Sequence, residues 1–279
     1  MKLFFTKMHG CGNDYIYFDA FTQHIPDPEA LSSRLSDRHF GVGGDGVVLI
    51  GPSAIADARM RMFNADGSEG NMCGNAIRCV GKYLYDHGMV QAQSLTIETR
   101  SGVKNLQLKI KAGRVDAVRV DMGKPELRPQ YIPVLLPGDR VIGRTVELGG
   151  QRRTISCVSM GNPHCVIFCP QVDDLDLPAI GPLCENDPLF PDRVNTEFVE
   201  VCGPQRLKMR VWERGSGETW ACGTGACASA VAAVESGVSP RNQPIELVLR
   251  GGVLTITVTD ETVLMEGGAS EVFKGEVEV

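Results

Sequence analysis

The sequence predicts an α+β protein of two similar domains, each an antiparallel β-sheet with one central α-helix. Three observations predict this fold. Short β-branched runs separated by turns occupy most of the chain, each half has one stronger helical pattern, and both helical patterns begin after a Cys-Gly pair. With 279 residues, 43% of them hydrophobic, the chain is long enough for two domains that each bury a core.

The predicted strands are rich in alternating or β-branched residues, and turn pairs such as Asp66-Gly67 and Gly149-Gly150 separate them. In the first half they cover residues 3–8, 15–18, 47–50, 59–64, 95–99, 106–110 and 114–121. In the second half they cover residues 141–148, 165–168, 197–201, 207–213, 245–249, 254–258 and 262–265. This spacing is typical of antiparallel sheet rather than of βαβ units.

The two helical patterns begin at Cys73-Gly74 and at Cys222-Gly223. Apolar residues recur after each pair at helical spacing, and Gly88 and Gly237 supply the stops. The second helix is small or apolar on nearly every side, so we expect sheet to surround it.

A constant offset relates the two halves, since 222 − 73 = 149. The same offset relates Gly12-Asn13 to Gly161-Asn162, Arg61 to Arg210, Asn64 to Glu213, and Glu69 to Glu218. Such a self-match indicates a duplicated unit, and a pseudo-two-fold axis can bring two equivalent cysteines to opposite sides of one cleft. We expect an N-terminal domain of residues 1–121 plus 268–279 and a C-terminal domain of residues 122–267.

The composition of the chain argues against two classes of binding partner, nucleic acid and membrane. The net charge of −6 and the pI near 5.5 argue against nucleic acid, whose phosphates attract basic surfaces. No apolar run has the length needed to span a bilayer, and the apolar stretch at the start is too short for a signal peptide. We therefore expect a cytoplasmic protein that binds neither nucleic acid nor membrane.

Ten cysteines suit disulfides only in a secreted protein, which this composition does not indicate. His164 beside Cys165 makes a zinc site an alternative, but no C-x-x-C pair is present, which also weighs against a thiol redox module. Most of the cysteines are expected to be small buried hydrophobes, namely Cys157, Cys165, Cys169, Cys184, Cys202 and Cys227.

Cys73 and Cys222 differ because each stands at a helix start. Backbone N–H groups and the helix dipole favour thiolate there, so we expect a pKa below that of an ordinary thiol. The glycine that follows lets the backbone approach a carboxylate. Cys-Gly can also be only a cap and a turn. Its repetition with polar partners at a constant offset favours chemistry.

The polar partners also have plain structural interpretations. His164 and Glu213 are expected to bias the two thiols so that one is protonated and the other ionised, in coupled titrations. His164 taken alone is better explained as a hydrogen-bonded structural imidazole. Asn64 and Asn195 taken alone suit turns.

Residues 41–46 match the G-x-G-x-x-G pattern of dinucleotide sites. That motif needs a strand before it and a helix after it, whereas here a polar, helical segment at residues 32–39 precedes it and a strand follows. We interpret it as a turn and predict no nucleotide site. No lysine stands in a context that indicates pyridoxal phosphate.

Several blocks together resemble the motifs of the diaminopimelate epimerase family. They begin with Lys7-Met8-His9-Gly10 and Gly12-Asn13-Asp14 and continue with residues 64–69, Cys73-Gly74-Asn75, residues 159–164, Glu213-Arg214-Gly215 and residues 221–225. The resemblance implies a cofactor-independent isomerase that interconverts LL- and meso-diaminopimelate in lysine and peptidoglycan precursor synthesis. It also implies two pseudo-symmetric domains, each an antiparallel, barrel-like β-sheet around a central α-helix, and a homodimer.

The resemblance also assigns roles by position. Cys73 and Cys222 would be the acid/base thiols, with His164 and Glu213 controlling their protonation. The substrate would be held by Asn13, Asn64, Asn162, Asn195, Glu213 and Arg214 and by the backbone of Gly74, Asn75, Gly223 and Thr224. No metal is implied.

One position departs from the family pattern, because many members have Gln where this chain has Gly46. That puts one contact to the substrate side chain in doubt, and the repeat places Asn195 at the equivalent position (46 + 149 = 195). A proline racemase or hydroxyproline epimerase of the same fold is the nearest alternative. Phenazine-pathway isomerases lack the cysteine pair.

Overall fold

The computed structural model describes residues 1–279 and divides them into two compact units. The first comprises Met1–Asp121 with Glu266–Val279, and the second comprises Met122–Met265. Ion pairs of 2.5 Å to Lys109 and 3.0 Å to Arg119 tie the Glu266 carboxylate to the first unit. A compact unit is not necessarily a domain that folds by itself, so the predicted domain bounds of residues 1–121 plus 268–279 and 122–267 stay a prediction.

The first stretch of the chain contains β1 (Lys2–Gly10), β2 (Asn13–Asp19), α1 (Pro28–Leu35), β3 (Gly46–Gly51), β4 (Ala58–Asn64), β5 (Glu69–Gly70), α2 (Gly74–Asp86), β6 (Ser94–Thr99), β7 (Gly102–Lys111) and β8 (Arg114–Asp121). Strands β1 and β2, β3 and β4, β4 and β5, β6 and β7, and β7 and β8 pair antiparallel. Strands β2 and β3, and β4 and β6, pair parallel.

The rest of the chain contains β9 (Arg144–Leu148), β10 (Gln151–Ser159), β11 (Pro163–Phe168), α3 (Leu177–Glu185), β12 (Asn195–Gly203), β13 (Arg206–Glu213), β14 (Gly217–Thr219), α4 (Gly223–Glu235), β15 (Pro244–Leu249), β16 (Gly252–Val258), β17 (Val263–Gly267) and β18 (Ser270–Glu278). Strands β9 and β10, β10 and β11, β12 and β13, β13 and β14, and β15 and β16 pair antiparallel. Strands β11 and β12, and β13 and β15, pair parallel. Strand β18 belongs to the first unit and pairs antiparallel with β1.

The two units have the same topology, in which β1 to β7 correspond to β10 to β16 and β18 corresponds to β9. The α+β fold class with a central helix in each half is confirmed. The prediction of antiparallel sheet is wrong for two strand pairs in each unit, which are parallel. Parallel neighbours need a crossover connection. Helices α1 and α2 supply the crossovers in the first unit, and α3 and α4 supply them in the second.

The starts of both central helices are confirmed. Cys73 and Cys222 are the N-cap residues of α2 and α4, and left-handed glycines follow the helix ends, at Gly88 with φ +71° and Gly237 with φ +72°. Strand β10 and helix α3 were absent from the predicted set. The polar start Gln-Arg-Arg-Thr of β10 masks its buried second half.

The helix predicted at residues 32–39 instead spans Pro28–Leu35. Asp27 caps it by accepting a hydrogen bond from the Ala30 N–H at 3.1 Å, with a proline in the first turn. Beyond it, Asp37 accepts from the N–H groups of His39 and Phe40 at 2.7 Å, and these bonds fix a turn instead of another helical turn.

Each central helix packs on the sheet of its own unit, α2 on β1, β2, β7 and β8, and α4 on β10, β11, β12, β15 and β16. Gly, Ala, Ser, Cys and Val side chains let α4 be buried on nearly every side. Apolar residues of β2, β3 and β4, including Ile16, Val47 and Phe63, form a core in the first unit, and Ile155, Ile167 and Phe198 are central in the second. No helix is both long and apolar enough to cross a bilayer.

Candidate active site

Each of the two cysteines caps a helix at the same topological place in its unit. Cys73 and Cys222 have extended backbones, with φ of −130° and −119°. The first two helical positions are Gly74 and Asn75 in α2 and Gly223 and Thr224 in α4. Backbone N–H groups there point out of the helix end, where anions are stabilised. In each unit a thiol therefore lies beside a group of backbone donors.

Cys73 is half-buried and in contact with Asn13. Its Sγ lies 3.3 Å from Asn13 Oδ1, and the Ala76 N–H donates to Sγ at 3.5 Å. An amide oxygen can only accept, so the thiol donates to it when protonated. The sulfur therefore has an acceptor for its proton and a helix donor for its negative charge, as an acid/base thiol requires.

The Asn13 amide is held in this orientation by charged neighbours. Its Nδ2 donates to Asp45 Oδ2 at 2.7 Å, and Arg38 donates to both Asp45 and Asp14, at 3.0 and 2.8 Å. Lys7 pairs with Asp14 at 2.5 Å. Burial opposes ionisation of Asp14, but Arg38 and Lys7 outweigh it and hold the pKa of that carboxyl below its ordinary value. The glycine-rich loop thus supplies Asp45, which fixes Asn13.

Cys222 is more deeply buried than Cys73, at 5% exposed, and its Sγ lies 3.5 Å from Thr224 Oγ1. Burial raises the pKa of Cys222 well above the ordinary thiol value, and the charges of Glu213 and Glu197 raise it further. The expectation of a lowered pKa is therefore wrong for this cysteine, because lost hydration and two carboxylates outweigh the helix dipole. Cys222 is a protonated thiol at neutral pH.

His164 lies in the middle of a buried chain of side chains. It is fully buried on β11, its Nδ1 lies 2.7 Å from Glu197 Oε1, and its Nε2 lies 3.0 Å from Asn162 Oδ1. Glu197 is also fully buried, and burial raises the pKa of its carboxyl although His164 opposes that rise. His164 and Asn162, two of the predicted site residues, are therefore in contact.

Glu213, Asn195 and Arg214 lie at the ends of neighbouring strands. Thr219 Oγ1 donates to Glu213 Oε1 at 2.5 Å, and Glu213 acts on the Cys222 thiol as described above. Asn195 Oδ1 accepts from the Arg214 N–H at 2.8 Å, and Arg214 itself donates to the Asp192 carbonyl at 2.8 Å. Asn195 therefore positions the backbone of Arg214 and is not a plain turn residue.

Asn64 ends β4 and shares a turn with Ser68, to whose Oγ its Nδ2 donates at 2.9 Å. Asn64 forms hydrogen bonds with Ser32 and Ser68 and not with Cys73. Opposite Asn64 on β3 is Gly46, with φ +156°. A Cβ added to Gly46 would lie 1.9 Å from the Phe63 carbonyl oxygen, so this backbone accepts no side chain there. The departure at Gly46 therefore accompanies a local backbone that excludes Gln.

Glu197, Asp45 and Arg78 were missed by the sequence reasoning. Glu197 stands near the start of β12 directly after Asn195 and Thr196, and nothing in that sequence marks it as buried. Arg78 is fully buried in α2, where it donates to the Gly74 carbonyl at 3.0 Å. Burial raises the pKa of Cys79, on the same helix, to about 11, so this third thiol of the region is protonated. No group of three or more potential metal ligands is present.

Comparison with known proteins gives a consistent family. The sequence profile described as Diaminopimelate epimerase matches residues 5–128 and 156–272. A diaminopimelate epimerase from Desulfovibrio desulfuricans is 56% identical over 284 residues, which cover 99% of this chain and 98% of that protein. One from Acetivibrio thermocellus is 53% identical with 99% and 98% covered, and one from Methanococcus maripaludis is 50% identical with 99% of both covered.

Solved structures with the same fold are much more distant in sequence. A phenazine biosynthesis protein from Bacillus anthracis superposes with a TM-score of 0.73 at 16% identity and full coverage of both chains. A hydroxyproline epimerase from Agrobacterium vitis with bound trans-4-hydroxy-L-proline gives a TM-score of 0.69 at 13% identity, with 99% of this chain and 91% of that chain covered. These likenesses confirm the fold alone.

Proposed function

Since this chain belongs to the diaminopimelate epimerase family and is an isomerase, we propose that it interconverts LL- and meso-diaminopimelate with two cysteines as acid and base. One thiolate removes the α-proton, and the opposite thiol returns a proton to the other face of the same carbon. The roles exchange in the reverse direction. We propose that the reaction is cofactor-independent, as in the family that the chain resembles, and the proton that one sulfur takes is balanced by the proton that the other gives.

The observation that carries this proposal is the twin placement of Cys73 and Cys222 as N-caps of topologically equivalent helices. Their contacts differ in a way that suits opposite roles. Cys222 is held protonated by burial and two carboxylates, so it is the acid of the resting enzyme. Cys73 has a helix N–H directed at its sulfur and is the base.

The backbone donors at the two helix starts would hold the carboxylate at the reacting carbon. Removing an α-proton moves negative charge onto that carboxylate, and donors already in place stabilise the charge as it develops. We assign this role to Gly74 and Asn75 of α2 and to Gly223 and Thr224 of α4. Glycine at positions 74 and 223 lets the substrate approach the backbone closely.

The remaining amide and charged side chains would hold the substrate's amino and carboxylate groups, namely Asn13, Asn64, Asn162, Asn195, Glu213 and Arg214. Charges of both signs and several amides suit a substrate with two amino acid ends better than proline. The homodimer, the cytoplasmic location and the place in lysine and peptidoglycan precursor synthesis are likewise proposals that rest on family membership.

The decisive experiment is incubation with LL-diaminopimelate in heavy water. Wild type should form meso-diaminopimelate and place deuterium at the α-carbon, as measured by NMR and mass spectrometry. Cys73→Ser and Cys222→Ser should each lose at least ~10²-fold of the rate, because a hydroxyl is a far weaker acid and base than a thiol.

The matched control is Cys202→Ser. Cys202 is exposed on β12, so the expectation that it is a buried hydrophobe is wrong, and it lies outside the proposed site. It should keep the wild-type rate. Full epimerisation by either variant of the proposed pair would rule out the two-cysteine mechanism. Turnover of L-proline in preference to LL-diaminopimelate would instead support the alternative function of a proline racemase.

A further inference from the structure

We propose that Glu197 is a positioning residue for the proposed epimerisation, which acts through His164 to fix the Asn162 amide. The geometry on which this rests is one unbroken line of contacts. Glu197 Oε1 lies 2.7 Å from His164 Nδ1, and His164 Nε2 lies 3.0 Å from Asn162 Oδ1. The proposal depends on the proposed function only in giving Asn162 a substrate to bind.

The positions of the hydrogens along the contacts from Glu197 through His164 to Asn162 determine which group of the Asn162 amide is free to bind a substrate. An amide oxygen only accepts, so Nε2 carries a hydrogen. The hydrogen between Nδ1 and Oε1 belongs either to the imidazole or to the carboxyl, and in both states the two groups together carry no net charge. In both states Asn162 keeps its oxygen toward the imidazole, and its NH₂ group is left to donate to a substrate carboxylate.

The surrounding fold is adapted to this carboxylate. Glu197 and His164 are each fully buried, on adjacent parallel strands. At the third position of α4, a Cβ added to Gly225 would lie 2.6 Å from Glu197 Oε1. The helix that carries Cys222 therefore has a glycine where any larger residue would displace the Glu197 side chain.

Stability alone does not account for a carboxylate here. A buried ion pair can often be replaced by apolar residues of similar volume without loss of stability. The equivalent position in the first unit has Val48, since 197 − 149 = 48, and that residue is a fully buried part of β3. The duplicated fold thus accepts a valine at this place, which points to a role outside folding.

Other groups that face Glu197 come from two further elements. Glu213 of β13 raises the pKa of its carboxyl, and the Cys222 thiol of α4 is itself affected by Glu197. Burial has the largest influence on the Glu197 pKa. These influences favour placing the shared hydrogen on the carboxyl, and that state preserves the orientation of His164 and Asn162.

The test compares Glu197→Val with Glu197→Gln in epimerisation of LL-diaminopimelate. Valine has a similar volume but leaves His164 without a partner at Nδ1, so kcat/KM should fall ~10- to 100-fold, the loss typical of a misplaced binding group. Glutamine can donate to Nδ1 through its amide and should stay within about threefold of wild type. Glu235→Gln, in a part-buried ion pair at the far end of α4, is the control.

A Val variant with wild-type kcat/KM would overturn the proposal, as would a Gln variant that is as impaired as Val, because the charge would then matter and not the positioning. A second readout does not depend on activity. In ¹⁵N NMR of the wild-type histidine rings, with His164 assigned by difference, Nε2 should stay protonated from pH 6 to 9. An unprotonated Nε2 would refute the chain of contacts even if epimerisation itself were confirmed, whereas absence of epimerisation would refute only the proposed function.

Discussion

The two halves of this molecule share a fold but differ in the charged residues that are buried around their central helices. In the first unit α2 contains a fully buried Arg78, whose equivalent in α4 is Cys227, since 78 + 149 = 227. In the second unit two carboxylates act on Cys222, Glu213 and Glu197, whose equivalents in the first unit are Asn64 and Val48. The positions of the thiols are thus common to both units, and their electrostatic surroundings are not.

In the proposed mechanism, this difference would let a duplicated fold supply an acid and a base at the same time. Two thiols with identical surroundings would not determine which of them holds the proton. Burial and two carboxylates in the second unit raise the pKa of Cys222, while both helix starts keep the same geometry. Each prediction below changes one side of the comparison and uses its counterpart as the reference.

The largest effect is expected from Glu213→Gln. The change is isosteric and keeps an acceptor for Thr219, but it removes a negative charge that raises the Cys222 pKa. That pKa should fall, so alkylation of Cys222 by iodoacetamide should begin at lower pH than in wild type. In the proposed mechanism activity should fall ~10²-fold or more, because Cys222 as the acid would hold its proton less firmly and the substrate would lose a partner. Peptide mass spectrometry measures the alkylation at each pH.

The control is Asn64→Gln, at the position of the first unit that is equivalent to Glu213. In this variant the pH at which Cys222 is alkylated should be the same as in wild type. An unchanged pH of alkylation in Glu213→Gln would mean that this carboxylate does not control the thiol. The assignment of Cys222 as the resting acid would then rest on burial alone.

The next effect concerns the place where this chain departs from its family. Gly46→Ala should reduce the free energy of unfolding by on the order of 2–4 kcal/mol, because φ is +156° and the new Cβ would meet the Phe63 carbonyl. The control is Gly113→Ala, with φ +77° and open space, which should cost only about 1–2 kcal/mol. Urea unfolding gives both values. Equal losses would show that backbone φ, and not the close approach to Phe63, restricts position 46.

The sequence predicted the parts of this molecule that depend on local pattern. Both central helices, their N-cap cysteines and most strands follow from periodicity and turn residues, and the offset of 149 residues correctly predicted that the topology repeats. The parallel strand pairs were missed, because a helical pattern does not reveal that the helix is a crossover between two neighbouring strands. Helices α1 and α3 connect one parallel pair in each unit, and the predicted helices α2 and α4 connect the other.

Candidate residues could be selected from the sequence wherever they belong to a recognisable motif, and two of them, Asn162 and His164, lie in contact. Glu197 and Arg78 could not be selected in this way, because a single charged residue in a strand or helix does not reveal which buried group it faces. The sign of the Cys222 pKa shift was predicted wrongly for a related reason. A helix start is visible in sequence, whereas the depth of burial and the approach of two carboxylates exist only after folding.

The smallest effect compares two equivalent ion pairs, Arg61 with Glu69 and Arg210 with Glu218. Both are bidentate, at 2.8 and 3.1 Å, but the Arg210 side chain is 12% exposed and that of Arg61 is 37% exposed. Arg210 also donates to the carbonyls of residues 172, 173 and 175. Arg210→Met should therefore cost about 2–3 kcal/mol, since it leaves part-buried carbonyl acceptors and the Glu218 carboxylate without this donor, and Arg61→Met should cost at most about 1 kcal/mol.

The pH dependence of the two variants sharpens this comparison. Hydrogen bonds from Arg61 lower the pKa of Glu69, and for Glu218 burial opposes the lowering but Arg210 and Arg250 outweigh it. A carboxyl whose pKa is lowered by folding stabilises the fold fully above the unfolded pKa of about 4.3, and this contribution is lost as pH falls through the lower folded pKa. The difference in unfolding free energy between wild type and Arg210→Met should thus shrink between pH 6 and pH 3, and more than it does for Arg61→Met. A constant difference would mean that the bonds from Arg210 to the carbonyls, and not its ion pair with Glu218, account for the stability that this arginine contributes.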